Sequence, residues 1–301
     1  MIEICLAGTG GMKPLPNRFL TGLWAEHNGK ALLIDCGEGM QIALAKAGVS
    51  LARLDTLLIT HFHADHIAGL PGLLLSAGNY GKSSPLHIYA PRGGIEIIRR
   101  LCCICPELPF DVTIHEISSE GTIFRNGLEI SFMPLRHRID CFGYSITEPR
   151  PPVFSPEKAD SLGVPMKMRS ILHKGGSIEL NGKLITPDMV TAGKRLPLKV
   201  TYITDTVYFD GLSRFAEDSD LLICEGMYGS DEYISKMTEK GHMVFSQSAE
   251  IAADSRSKEL WLTHFSPALT DPEAELETAK VIFPNTIAGK DGMKKTVNTN
   301  L

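Results

Sequence analysis

Thr60-His61-Phe62-His63-Ala64-Asp65-His66 packs three imidazoles and a carboxylate into a few consecutive positions, and the reading of this stretch decides the fold. Such side chains are the nitrogen and oxygen donors that zinc and related divalent ions take. The segment before it, Thr56-Leu57-Leu58-Ile59, is a short apolar run that reads as a buried strand. His61 and His63 then leave the strand end on one side, two residues apart, while Asp65 and His66 follow in the loop or first helical turn, ahead of the turn Gly69-Leu70-Pro71-Gly72. That split predicts two ions rather than one. A single loop histidine is ordinarily solvated, but three of the chain's ten histidines in one motif are not explained that way. A structural zinc finger would show paired cysteines nearby, and none are there. The spacing also differs from the H-E-x-x-H helix of metalloproteases.

Outward from the motif, 301 residues with 43% hydrophobic composition are enough to bury a full core. Met1 to Leu6 is strand-like, and it is too short and too charged for a signal peptide. No run approaches the roughly 18 apolar residues of a membrane span, so no membrane partner is expected. Seven cysteines, an odd and scattered set, point to a reducing, cytoplasmic location. Cys102, Cys103 and Cys105 are read as small apolar core residues. A net charge of −5 excludes a surface that is basic throughout, so a nucleic-acid partner would need a local patch.

The same grammar recurs along the chain. Lys30 to Ile34 ends at Asp35; Leu128 to Phe132 leads to His137; Lys199 to Thr204 ends at Asp205; Asp220 to Cys224 ends at Glu225; Glu259 to Thr263 ends at His264. Strands that deliver polar residues at their carboxyl ends are the habit of α/β sheets with a site there. Ala7 to Gly11 reads as a tight glycine turn, since it lacks phosphate-loop spacing. Helices are expected over Ile67 to Ala77, Ile95 to Leu101, Gln247 to Ala253 and Pro272 to Phe283, the last with Thr270 or Asp271 as N-cap and Glu273 as capping-box partner. Strand and helix alternate across the whole length, which predicts one layered α/β domain, 1–301. One segment breaks the pattern: about 148–198 is rich in proline, glycine and charge. From Pro165 to Lys199 it carries seven basic residues against Glu179 and Asp188, which makes Lys167, Arg169 and Lys174 the candidate phosphate contacts.

The motif His61-x-His63-x-Asp65-His66, with His137, Asp205 and His264 downstream, resembles the metallo-β-lactamase superfamily. More narrowly, the Asp35-Cys36-Gly37-Glu38-Gly39 box, the Glu225 and His242 pair, and Thr263-His264-Phe265-Ser266-Pro267 resemble the ribonuclease Z family over nearly the whole chain. The resemblance implies a four-layer αββα sandwich and two zinc ions, with manganese or iron as alternatives. It implies one ion on His61, His63 and His137, the other on Asp65, His66 and His264, and Asp205 between them. Asp35 would fix the metal loop, Asp65 would act on the attacking water, and His242 beside Glu225 would protonate the leaving oxygen. The implied substrate is a transfer RNA precursor cut at its 3′ trailer, and the implied assembly is a homodimer.

Several positions depart from the family pattern. No Gly-Pro-Leu-Tyr-like element stands near Pro165 to Lys174, Val207-Tyr208 replaces Arg-Pro after Thr206, and Ala268 replaces an arginine after Pro267. Each change removes a phosphate contact and none removes a metal donor. Two other readings therefore stay open: a binuclear-metal phosphodiesterase or hydrolase of a smaller substrate, and a non-hydrolytic member of the fold. Di-iron relatives of the second kind carry a carboxylate where this chain has His63.

Overall fold

The computed structural model describes residues 1–298, apart from Pro106 and Lys194. Lys194, counted above in the basic run, lies outside the described residues. The chain divides into two units, one made of 1–147 with 199–301 and the other of 148–198.

The larger unit contains two seven-stranded sheets. The first is built from β1 (Ile2–Gly8), β2 (Gly22–His27), β3 (Lys30–Ile34), β4 (Leu54–Leu58), β5 (Leu86–Pro91) and β6 (Val112–Ile117). The chain crosses to the second sheet with β7 (Gly121–Arg125), β8 (Leu128–Pro134) and β9 (Phe142–Glu148). In the smaller unit β10 (Val153–Phe154) pairs with β13 (Thr191–Gly193), and β11 (Ile178–Leu180) with β12 (Lys183–Ile185). The second large sheet is completed by β14 (Leu198–Ile203), β15 (Leu221–Glu225), β16 (Leu260–Thr263) and β17 (Thr286–Ala288). β18 (Met293–Val297) returns to the edge of the first sheet, antiparallel to β1. Each sheet is antiparallel at one end and parallel at the other, with β3 to β6 and β14 to β17 the parallel runs.

Strands buried on both faces read as near-continuous apolar runs. On β3, Ala31 and Leu33 join the cluster formed with helices Met40–Lys46, Leu70–Asn79 and Gly94–Leu101, while Leu32 and Ile34 are buried on the opposite face. On β15, Leu222 and Cys224 meet helix Phe245–Asp254 through Ala249, Ile251 and Ala252, which sends Ile223 and Glu225 to the other side. Those other faces lie against each other. Tyr144 on β9 donates to the carbonyl of Ile59 at 2.8 Å, and the Thr21 hydroxyl lies 3.2 Å from that of Tyr202 and 2.9 Å from that of Thr263. The layers are helix, sheet, sheet and helix, the αββα sandwich.

Three local expectations need correction. Helix 67–77 is two helices, Ala64–Ile67 and Leu70–Asn79. The span from Pro272 is a 3-10 turn, Glu273–Glu275, followed by helix Glu277–Ile282. Asp271 accepts from the amides of Glu273 and Ala274, so the cap is local to the turn and no Thr270–Glu273 box forms. The cysteines after helix Gly94–Leu101 are not core residues as a group: Cys102 is half-buried and packs against the core, Cys105 is half-buried, and Cys103 is exposed. Among the described residues no helix is long and apolar enough to cross a membrane.

Tyr144→Phe removes the donor to the buried Ile59 carbonyl between the sheets. It is expected to lower unfolding free energy by about 1–3 kcal/mol in urea titration.

Candidate metal centre

The parallel strands of both sheets run toward one end, and the polar residues are set in the turns that follow them. Asp35 after β3, Asp205 after β14 and His264 after β16 all have positive φ, at 62°, 52° and 58°. This left-handed backbone is uncommon for residues other than glycine. It reverses the chain sharply enough to turn each side chain back toward the space between the sheets.

The donors gather in two sets. His61 Nε2 lies 2.9 Å from His63 Nδ1, which lies 3.2 Å from His137 Nε2. In the second set His66 Nε2 and His264 Nε2 are 3.2 Å apart, and Asp65 Oδ2 is 3.6 and 3.5 Å from them. Asp205 faces both. Its Oδ1 is 3.3 Å from His66 Nε2 and 3.2 Å from His264 Nε2, while Oδ2 is 3.7 Å from His61 Nε2 and 3.8 Å from His137 Nε2. A tetrahedral shell with bonds of 2.0–2.1 Å puts neighbouring donor atoms about 3.3 Å apart, which is the spacing of these sets. All seven residues expected from the sequence to hold metal are thus brought together.

Charge and tautomer fit a cation as well. Burial holds His61 well below the usual imidazole range and pushes His63 and His137 down, so all three offer lone pairs. Burial also works against charge on His66, but Asp205 and Asp35 outweigh it and keep its pKa well raised. The set therefore draws positive charge, and a divalent ion satisfies that demand with every ring neutral.

Around the donors the hydrogen bonds fix which nitrogen points inward. The Asp35 carboxylate, fully buried, accepts from His66 Nδ1 at 2.7 Å and from the amide and hydroxyl of Thr60 at 2.8–3.0 Å. Thr60 Oγ1 in turn lies 3.0 Å from His61 Nδ1. One carboxylate thereby orients a ligand in each set. His137 Nδ1 donates to the carbonyl of Gly241 at 2.9 Å. Partners of this kind set ligand orientation and basicity.

Glu225 is the last residue of β15 and fully buried, accepting from the Thr206 amide at 2.7 Å and from His242 Nδ1 at 2.9 Å. Burial opposes protonation of His242, but the charge of Glu225 and this hydrogen bond prevail and lift it to about 9. His242, His63, His137, Asp65 and His264 open onto a cleft of about 390 Å³.

Sequence reasoning missed four contributors. The Met12 amide donates to Asp65 Oδ2 at 2.7 Å. Gly11 comes so near His264 that a Cβ there would lie 2.7 Å from the ring, so the glycine turn is a close approach to a ligand as well as a bend. Arg138 and Lys240 line the cleft beside the metal donors, and their only signal in the sequence was proximity to His137 and His242. Of the residues expected to meet phosphate, Lys167 and Lys174 are exposed on the smaller unit, whereas Arg169 is paired with Asp160 and bonded to the Val164 carbonyl. Asp160 stands before Pro165, outside the basic run.

Two sheets, outer helices and a shared histidine–aspartate cluster define a metal-site protein of the metallo-β-lactamase fold. Residues 2–101 match the family described as Anti-Pycsar protein Apyc1, and residues 156–265 match the Beta-lactamase superfamily domain. Ribonuclease Z of Agathobacter rectalis is 45% identical over 97% of this chain and 96% of its own, and that of Clostridium kluyveri is 45% identical over 99% of each. The chain belongs to the ribonuclease Z family. Human tRNase Z, short form, shares the fold with a TM-score of 0.71 at 24% identity, covering 99% of this chain and 100% of that one.

Asp35→Asn keeps the size of the side chain but weakens its hold on His66 and Thr60. It is expected to lower metal affinity about 10–100-fold, read by competition with a chelating dye.

Proposed function

We propose that the chain is a zinc-dependent endoribonuclease that removes the 3′ trailer from transfer RNA precursors. The observation that carries the chemistry is Asp205 presenting one oxygen to each donor set, with the Glu225–His242 pair on the same cleft. Near full-length similarity to ribonuclease Z supports the substrate.

His61, His63 and His137 would hold one ion, Asp65, His66 and His264 the other, with Asp205 shared. Ions held there supply Lewis-acid polarisation of a phosphodiester and water of lowered pKa. The protein does the rest. Asp65, steadied by the Met12 amide, orients the attacking water or takes its proton. Water adds to phosphorus as the bond to the 3′ oxygen breaks, and that oxygen leaves with a proton from His242. Nε2 is the donor, because Nδ1 is committed to Glu225, whose buried charge keeps the ring protonated near neutral pH. The products are RNA with a 3′-hydroxyl and a trailer with a 5′-phosphate. Lys167 and Lys174 are proposed to meet phosphates of the substrate.

Val207-Tyr208 and Ala268, in place of cationic positions, favour a second reading in which a smaller phosphodiester is the substrate. A precursor with a 3′ trailer, cut once beside the discriminator base with its ends mapped at single-nucleotide resolution, supports the first reading. Hydrolysis of a chromogenic phosphodiester without that cut supports the second. His63→Ala is expected to abolish metal uptake and turnover together, measured by metal analysis and the same assay. His242→Ala should retain metal and slow the chemical step roughly 10²–10⁴-fold in single-turnover kinetics; loss of metal would reassign it.

A further inference from the structure

Three of the seven cysteines stand together at the end of one helix. Cys5, Cys36, Cys141 and Cys224 are buried, whereas Cys102 and Cys105 are half-buried and Cys103 is exposed. The thiols open to a reagent in solution are therefore gathered in a single turn. There the Cys105 amide donates to the Cys102 carbonyl at 2.9 Å, which closes a β-turn with these two cysteines at its ends. The ends of such a turn lie less than about 7 Å apart at Cα, and a disulfide spans about 4.4–6.8 Å. Cys103 and Ile104 are the central residues, and both are exposed.

The side chains agree with the backbone. Cys102 packs against the core cluster that includes Leu70 and Leu73, and Cys105 Sγ lies 3.9 Å from the carbonyl of Pro71 on the same helix, Leu70–Asn79. Both thiols thus turn inward, and that of Cys103 does not. The Cys105 thiol is also a hydrogen-bonding neighbour of Cys102: burial first, and then this neighbour, push the Cys102 thiol up to about 12.

Place in the helix decides the kind of chemistry. Reactive C-x-x-C thiols of low pKa stand at helix N-termini, where the dipole favours thiolate. This pair follows the carboxyl end of a helix, where partial negative charge opposes it. A thiol of high pKa is also a poor leaving group, so a bond between these sulfurs forms slowly and then persists.

We infer that Cys102 and Cys105 are a modification site, at which a low-molecular-weight disulfide such as oxidised glutathione joins the two sulfurs while Cys103 stays free. Cys105 enters first, because Cys102 is packed against the core. Its thiolate attacks one sulfur of the reagent and expels a thiolate; the Cys102 sulfur then attacks that of Cys105 and expels the second. The two cysteine protons pass through solvent to the departing thiolates. Two protein thiols are oxidised to one disulfide, and one reagent disulfide is reduced to two thiols. No cysteine belongs to either metal donor set, so this site is separate from the metal centre.

The test uses the native chain, incubated with oxidised glutathione without denaturant and then alkylated, with each cysteine read by fragmentation in mass spectrometry. The expected product is lighter by two hydrogens before alkylation, with Cys102 joined to Cys105 and Cys103 alkylated. Cys102→Ser should instead trap a glutathione adduct on Cys105, and Cys103→Ser should close to the same extent as the native chain. Transfer to an equimolar mixture of reduced and oxidised glutathione should leave the bond closed, and reopening there overturns its persistence. A product joined through Cys103, a glutathione adduct that remains on the native chain, or no reaction overturns the site. So does pairing that appears only together with alkylation of Cys36 and Cys141, which are buried and react only once the chain opens.

Discussion

The site depends on the buried carboxylate of Asp35. A charge removed from water is costly unless it is hydrogen-bonded, and here it receives His66 Nδ1, the Thr60 amide and the Thr60 hydroxyl. Those same bonds register the end of β3 against the end of β4 and select the inward nitrogen of His66 and, through Thr60, of His61. One buried group thus converts the sheet's order into the order of both donor sets. Its own left-handed backbone is what aims the carboxylate under the neighbouring strand rather than into solvent.

Asp205 and His264 repeat the device in the second sheet. Sparsely populated backbone of this kind costs on the order of 1–3 kcal/mol per residue and persists where the surroundings over-determine it. The surroundings here are strands buried on both faces, with Tyr202, Ile203, Leu260 and Leu262 each at 0% exposure. Burial along the strands stabilises strained turns at their ends, and the turns bring side chains from two sheets within bonding distance of one ion pair's worth of space. The glycine turn between β1 and β2 completes this from a third direction, with Gly11 against His264 and Met12 on Asp65.

Much of this was legible in the sequence because period and chemistry coincide. Apolar runs ending in Asp35, His61, Asp205, Glu225 and His264 placed the strands and the face on which they deliver, and the spacing within His61 to His66 separated the two donor sets. What escaped was whatever depends on backbone approach between distant segments. Nothing local marks Gly11 as the neighbour of His264, or the Met12 amide as a partner of Asp65. Arg169 sits in a basic run, and its partner Asp160 lies before that run begins. The helix expected from Pro272 carried sound capping residues, but Asp271 closed a tighter turn first.

The donor sets join positions that are far apart in the order of synthesis. His61 to His66 sit in the first quarter of the chain, whereas Asp205, which faces both sets, and His264, which belongs to the second, come late. At about 5–20 residues per second, roughly 10–40 s separate the making of His61 from that of His264. Until then the motif is an incomplete chelator on an unfinished sheet. Neither donor set can therefore close around an ion before the strands that carry Asp205 and His264 are made and paired into the second sheet.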